Sequence, residues 1–314
     1  MGVRLEQRRA VALVAQPLCH LAGGYTTPNG FAPRQGTGRM AGMRHVLPLL
    51  LLAFVARAEL KTDIEFAKAG GTNLTLDAFA PEGAGPFPTC ILVHGGGFMK
   101  GDKASNFKPL LGPLGKAGFA WFSINYRLAP QHRYPAPVED VETAIRWVKA
   151  HATGYKADPK RIALIGESAG GHLVSLAGAR AGADTRVAAV VPFYAPHDME
   201  LQAKLNKTTP LWAEALFGIT DLDGAAWGVL REASPITHVH GGMPPYLLIH
   251  GTKDDKVPFE QSLKFQEKTK AAGNVCDLIP VEGGTHGMRA WEKLDPGYKD
   301  KLIAWLKTTL AGKQ

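Results

Sequence analysis

Cysteine is scarce in this sequence, and its few cysteines do not form the pattern of a disulfide framework or a metal site. Only three occur in 314 residues, and Cys19 precedes the part in which a folded domain is predicted. Cys90 and Cys276 lie in apolar, strand-like runs, where a cysteine usually acts as a small buried side chain. A disulfide between them is the less favoured alternative. Neither has a second Cys or His at ligand spacing, so we expect no metal.

The folded part also lacks a large excess of charge of one sign. The chain carries a formal charge of +8, but residues 1–58 contain seven Arg and one Glu and so contribute +6, which leaves 8 − 6 = +2 for the rest. A polybasic binding face is therefore not predicted, and we expect no nucleic-acid partner.

A long apolar run is missing as well. The run 46–55 follows Met43-Arg44-His45 and precedes Ala56-Arg57-Ala58, the order of a secretory signal peptide. It is about half as long as a bilayer-spanning helix, so a membrane anchor is the less favoured alternative. We interpret residues 1–58 as a leader with a mis-assigned start and a signal peptide from Met43. The predicted location is secreted or periplasmic.

Residues 59–314 are predicted to form a single α/β domain, because short apolar runs alternate with helical patterns. One helical stripe consists of Val138, Val141, Ile145 and Val148, and another ends at Leu310. The predicted strands are Leu74–Phe79, Thr89–Val93, Ala120–Asn125, Arg161–Ile165, Val187–Phe193, Tyr246–His250 and Val275–Val281. Continuous apolar strands indicate a mostly parallel sheet covered by helices on both faces, with ligands beyond the carboxyl ends of the strands.

A candidate nucleophile directly follows one of these strands. Residues 166–170 read Gly-Glu-Ser-Ala-Gly, between the strand 161–165 and a helix-compatible run from His172 to Arg180. Small neighbours allow the sharp strand-to-helix turn that exposes a serine hydroxyl, here Ser168, at a helix N-terminus.

A candidate oxyanion-binding loop follows an earlier strand. Residues 94–98 read His-Gly-Gly-Gly-Phe. Consecutive glycines let backbone N–H groups point into a cavity, where they can hold the oxyanion that forms when a carbonyl is attacked. A flexible glycine-rich turn is the alternative interpretation of this segment when it is taken alone.

Two later loops supply a candidate acid and a candidate base. Asp254 and Asp255 follow the strand 246–250, and the residues alone leave the choice between them open. His286 lies in a glycine-rich loop after the last strand. The order Ser168, Asp254, His286 is that of α/β-hydrolase triads.

These motifs together resemble α/β-hydrolase esterases, namely the hormone-sensitive-lipase-like esterases and the secreted feruloyl and acetyl-xylan esterase-like group. The resemblance covers residues 60–314 and includes Asn-Tyr-Arg-Leu-Ala-Pro at 125–130, Tyr-Pro-Ala-Pro at 134–137 and Asp140. We expect Arg127 and Asp140 to form a structural ion pair. The chain has little material for long N-terminal cap helices, which favours the compact secreted group.

By position, the resemblance implies that Ser168 is the nucleophile, His286 the base and Asp254 the acid, since His250, Gly251, Asp254 and Pro258 fit the family pattern. It implies oxyanion donors at the amides of Gly96, Gly97 and Ala169, with His94 bracing the loop. No cofactor is expected.

The predicted function is serine carboxylic-ester hydrolysis through an acyl-enzyme, on short-chain or aryl esters of the acetyl or feruloyl type, free or linked to polysaccharide. A cap insertion at about 195–238 is expected to select the substrate, because its apolar residues could line an acyl or aryl pocket. The alternative for any one of these residues is that it simply packs a cap helix. That insertion contains Leu211, Trp212, Leu216, Phe217 and Trp227. A serine peptidase or amidase on the same fold and a catalytically silent binding protein are the alternatives. The sequence indicates no oligomeric state.

Overall fold

The computed structural model describes residues 57–105, 107–205 and 208–311, and these contain eight strands. Apart from its last two residues, the predicted leader at 1–58 lies outside the described part. The strands are β1 (Glu59–Ala69), β2 (Thr72–Ala80), β3 (Phe87–Val93), β4 (Ala120–Ile124), β5 (Ala157–Glu167), β6 (Ala189–Phe193), β7 (Tyr246–Gly251) and β8 (Cys276–Val281).

All eight strands belong to one sheet in the order β1-β2-β4-β3-β5-β6-β7-β8. β1 and β2 are antiparallel to their neighbours, whereas every pairing from β4 to β8 is parallel. The predicted α/β-hydrolase fold and the seven predicted strands are confirmed. β1 was not predicted because it is a polar edge strand in which Phe66 is the buried residue.

Helices cover both faces of the sheet. They are α1 (Lys108–Lys116), α2 (Ala136–His151), α3 (Ala169–Ala179), α4 (Met199–Lys204), α5 (Leu211–Phe217), α6 (Gly224–Glu232), α7 (Glu260–Ala271), α8 (Trp291–Leu294) and α9 (Tyr298–Thr309). No helix among the described residues is long and apolar enough to cross a membrane.

Each central strand contributes to two apolar cores, one on each face of the sheet. In β3, Ile91 and Val93 belong to the core that includes the α2 stripe, whereas Cys90 and Leu92 belong to the core that includes Leu302 and other residues of α9. Alternate residues of a strand point to opposite faces, so a strand covered on both sides must be apolar throughout.

The two described cysteines are both buried and free. Cys90 lies in one core and Cys276 in the other, on the opposite face of the sheet. The less favoured disulfide is therefore wrong. Both thiols act as small buried side chains, and burial raises the pKa of the Cys276 thiol to about 12.

The predicted ion pair of Arg127 with Asp140 is confirmed, and it holds the loop after β4 against α2. The Arg127 Nη2 atom lies 2.7 Å from Asp140 Oδ1, and Nε lies 2.9 Å from Oδ2. The Asp140 side chain is only 2% exposed. A buried, doubly bonded pair of this kind is costly to break by removing one partner.

Candidate active site

The serine of the Gly-Glu-Ser-Ala-Gly motif occupies a strained turn. β5 ends at Glu167 and α3 begins at Ala169, so Ser168 alone makes the turn, with φ 52° and ψ −117°. Glycine neighbours are required, because a Cβ on Gly166 would lie 2.3 Å from the Gly170 carbonyl oxygen and one on Gly170 would lie 2.0 Å from the Val93 carbonyl oxygen. Strain of this kind is typical of functional positions.

Two further loops bring a histidine and a carboxylate to this serine. The Ser168 hydroxyl lies 3.0 Å from His286 Nε2, and His286 Nδ1 lies 2.7 Å from Asp254 Oδ2. A carboxylate only accepts hydrogen bonds, so Nδ1 carries the proton and Nε2 is left to accept from the serine hydroxyl. The three residues that the sequence predicts for the triad therefore form one hydrogen-bonded chain.

The two adjacent carboxylates of Asp254 and Asp255 differ in their surroundings, and of the two it is Asp254 that contacts His286. The buried Asp254 carboxylate also accepts hydrogen bonds from the backbone N–H groups of Lys256 and Val257, both at 2.9 Å. Burial raises its pKa, but hydrogen bonds from His250 and His286 outweigh burial and hold the pKa below the ordinary value. Asp255 is exposed and lies 3.2 Å from the Lys256 ammonium.

The glycine-rich loop after β3 lies against the serine turn. Gly96 and Gly97 have φ values of 113° and 62°, and a Cβ on Gly96 would lie 1.9 Å from the Lys100 carbonyl oxygen. Glycine is therefore required at position 96. Buried His94 donates from Nδ1 to the Gly95 carbonyl oxygen at 2.7 Å, which fits the predicted bracing role.

Sequence reasoning missed a residue that joins these loops. The buried Glu167 accepts a hydrogen bond from the Gly95 N–H at 3.0 Å and a short one from the Tyr194 hydroxyl. The Tyr194 ring meets the His286 ring edge-on, with centroids 4.8 Å apart. A carboxylate inside an otherwise apolar strand end was the available signal, since buried acids are seldom left without partners.

A cavity of about 610 Å³ opens beside the serine, and Gly97, Ala169 and His286 also line it. Among the predicted cap residues, Leu211 and Trp212 line this cavity. The other three pack inward instead: Leu216, Phe217 and Trp227 contact the core that contains α2. Trp212 also packs against that core, so both interpretations of the cap apply to this residue.

A metal site would need several acidic, histidine or cysteine side chains grouped together. Within residues 57–105, 107–205 and 208–311, no cluster of three or more such side chains has suitable geometry.

Comparison with known proteins identifies the family of this chain. Residues 76–269, more than half of the chain, match the family model described as BD-FAE. Esterase LipC of Mycobacterium tuberculosis is 36% identical over 220 residues, which cover 64% of this chain and 53% of LipC. An acetylxylan esterase of Xylanibacter ruminicola is 27% identical over 281 residues, covering 85% of this chain and 55% of that enzyme. The chain spans about half the length of these curated relatives.

Solved structures of similar fold are also esterases. A truncated form of a carbohydrate esterase from gut microbiota superposes with a TM-score of 0.69 at 26% identity, covering 82% of this chain and 99% of that chain. Thermogutta terrifontis esterase 2, phosphorylated by paraoxon, superposes with a TM-score of 0.63 at 25% identity, covering 80% of this chain and 94% of that chain. The predicted resemblance is confirmed. The chain belongs to the BD-FAE family and is an α/β-hydrolase of the esterase group.

Proposed function

We propose that this protein hydrolyses carboxylic esters through an acyl-enzyme formed on Ser168. The observation that carries the proposal is the continuous hydrogen-bonded chain from the Ser168 hydroxyl through the His286 ring to the Asp254 carboxylate. Relatives named as esterases support the same reaction type.

In this mechanism His286 acts first as a base and then as an acid. Nε2 accepts the Ser168 proton while Oγ attacks the ester carbonyl, and the same nitrogen then protonates the departing alcohol oxygen. Water, deprotonated by His286, releases the acid and regenerates the serine. Asp254 stabilises the imidazolium that forms in both halves and fixes the ring tautomer.

The amides of Gly96, Gly97 and Ala169 are the proposed oxyanion donors. Ala169 is the first residue of α3, where helix N–H groups have no intrahelical acceptor and the helix dipole favours negative charge. Gly97 and Ala169 both line the cavity that contains Ser168, which supports their assignment. Removal of a single oxyanion donor typically costs on the order of 10²- to 10³-fold in rate.

For the substrate we propose a short-chain or aryl ester, free or linked to polysaccharide. The apolar cap residues Leu211 and Trp212 line a cavity large enough for an aryl group, and relatives named acetylxylan esterase and carbohydrate esterase favour a sugar-linked alcohol. A panel of acetyl, butyryl, octanoyl and feruloyl esters, alone and on xylan, tests this. A marked preference for octanoyl esters would contradict it.

The test of the reaction itself is Ser168→Ala with 4-nitrophenyl acetate as substrate. We expect turnover to fall to the background of the uncatalysed reaction while the circular dichroism spectrum is unchanged. Ser175→Ala is the matched control, because this buried hydroxyl lies in α3, the helix that follows Ser168, and has no hydrogen-bond partner among the described residues. Turnover that survives in Ser168→Ala would show that another residue is the nucleophile.

We also propose that the protein acts outside the cytoplasm, on the sequence of residues 43–58 alone. N-terminal sequencing of secreted material should begin near Glu59. A first residue upstream of Met40 would contradict both the signal peptide and the interpretation of the start.

A further inference from the structure

His286 lies between two cavities. The first, of about 610 Å³, contains Ser168 and the apolar cap residues. The second has a volume of about 440 Å³ and is lined by Lys108, Tyr194 and Arg289 among others. His286 lines both cavities, so its ring forms part of the wall of each.

An ester that reacts at Ser168 has to extend in two directions. The acyl half stays attached to the serine, and the first cavity, which contains Ser168 and apolar walls, fits that half. The departing alcohol oxygen must approach His286 Nε2, because that nitrogen supplies its proton. The alcohol half therefore points past His286 toward the second cavity.

The second cavity carries two cationic side chains that have no carboxylate partner among the described residues. Lys108, the first residue of α1, and Arg289, in the turn after His286, both line it and are exposed. The cavity also contains Glu167, but its carboxylate oxygens accept hydrogen bonds from the Gly95 N–H and the Tyr194 hydroxyl. A ligand in this cavity thus meets positive charge at the rim.

We propose that the second cavity binds the alcohol half of esters whose alcohol carries a carboxylate, such as a sugar acid or a hydroxy acid. The planar Arg289 guanidinium can bind a carboxylate through two parallel hydrogen bonds, and Lys108 adds a second positive charge. A neutral alcohol half gains nothing from this pair of charges. The proposal rests on the ester hydrolysis proposed above and names the substrate class for the alcohol side of that site.

The test compares two probes that share an acetyl group and differ in charge, 4-acetoxybenzoate and 4-acetoxybenzamide. The kcat/KM for each is measured with the wild-type protein and with the double variant Lys108→Glu/Arg289→Glu. We expect the ratio of the anionic to the neutral probe to fall about tenfold in the double variant, because each exposed ion pair contributes a few-fold. The fall should shrink at high salt, since exposed charges are screened.

Lys160→Glu is the control for charge reversal at a distant position, since Lys160 is exposed near the start of β5 and lines neither cavity. It should leave the probe ratio unchanged. An equal effect of the control and the double variant, or a probe ratio that does not change in either, would overturn the binding of a carboxylate at this site. A wild-type protein that hydrolyses neither probe nor 4-nitrophenyl acetate would instead overturn ester hydrolysis and the inference with it.

Discussion

The loops at the carboxyl ends of the central strands differ from the cap helices α4 to α6 in how their residues are held. In the strand-end loops Glu167, Asp254 and His94 are buried and each side chain makes at least one specific hydrogen bond. On the cap side, Leu205 is 51% exposed and Leu211 is 74% exposed, although both line the cavity. Directional contacts tolerate few substitutions, whereas apolar contacts tolerate many. The proposed chemistry thus resides in the buried, hydrogen-bonded strand ends and the proposed selectivity in the cap.

The largest loss of activity is expected from a change at the buried Asp254 carboxylate. Asp254→Asn should lower kcat on the order of 10⁴-fold, because an amide can hold His286 in the wrong tautomer and cannot stabilise the imidazolium. Steady-state kinetics on 4-nitrophenyl acetate measures the loss. Asp255→Asn, which alters an exposed neighbour, should change kcat less than twofold. Similar losses in both variants would contradict the assignment of the acid.

The oxyanion loop offers the next largest effect. Gly96→Ala would place a Cβ 1.9 Å from the Lys100 carbonyl oxygen at a φ of 113°, so the loop must move. We expect kcat to fall on the order of 10²- to 10³-fold. Gly112→Ala in α1 is the control, since a Cβ there meets open space and should stabilise the helix by about 0.5–1 kcal/mol. Unaltered activity in Gly96→Ala would exclude this amide from the oxyanion site.

The attachment of the cap to the rest of the molecule should depend on pH through His172. This fully buried histidine donates from Nε2 to the Ala233 carbonyl oxygen, just after α6, at 2.8 Å. Burial lowers its pKa from 6.5 to about 4, so below pH 6.5 the unfolded chain binds a proton that the folded protein does not. Stability is therefore lost as the pH falls from 6.5 to about 4, by about 3 kcal/mol from this group.

Denaturant unfolding at a series of pH values between 7 and 4 measures this loss. His172→Gln keeps a donor for the Ala233 carbonyl but does not titrate, so its stability should fall less steeply over that range. Equal slopes for the variant and the wild-type protein would contradict the assignment of this proton to His172.

The smallest expected effect is a change in ester preference when a cap tryptophan that lines the cavity is replaced. Trp212 lines the cavity, and Trp212→Ala should change the ratio of kcat/KM for feruloyl and acetyl esters about fivefold, or about 1 kcal/mol. Trp227 packs against the same core as Trp212 and lies under the Lys204 ammonium, but it does not line the cavity. Trp227→Ala should lower Tm and leave that ratio unchanged. A change of the ratio in Trp227→Ala alone would reverse the two roles.

The sequence predicted the regions whose residues obey local rules. Ser168 is recognisable because it lies between a strand and a helix that are only a few residues apart. Its small neighbours allow the sharp turn that joins them. The central strands are recognisable because burial on both faces requires continuous apolar runs. Asp254 needed the family pattern, because its distinguishing contacts, the N–H groups of Lys256 and Val257, appear only in three dimensions.

What could not be predicted depends on contacts between distant segments. β1 shows no apolar run because all of its side chains except Phe66 are exposed or only partly buried, and its pairing with β2 is decided by the sheet. The role of Glu167 depends on Gly95 and Tyr194, which are 72 and 27 residues away. In the cap, Trp212 and Trp227 both pack against the core, but of the two Trp212 alone also lines the cavity. The sequence of a short helix does not show which of its side chains meets a cavity.

The assignment of Ser168 as the nucleophile is tested most directly by reaction with paraoxon, the reagent that phosphorylates the related Thermogutta terrifontis esterase 2. One equivalent of 4-nitrophenol should be released per chain, and peptide mass spectrometry should locate the diethylphosphoryl group on Ser168. Activity should be lost in parallel with labelling. A label on another residue, or ester turnover that survives complete labelling of Ser168, would contradict the proposed mechanism.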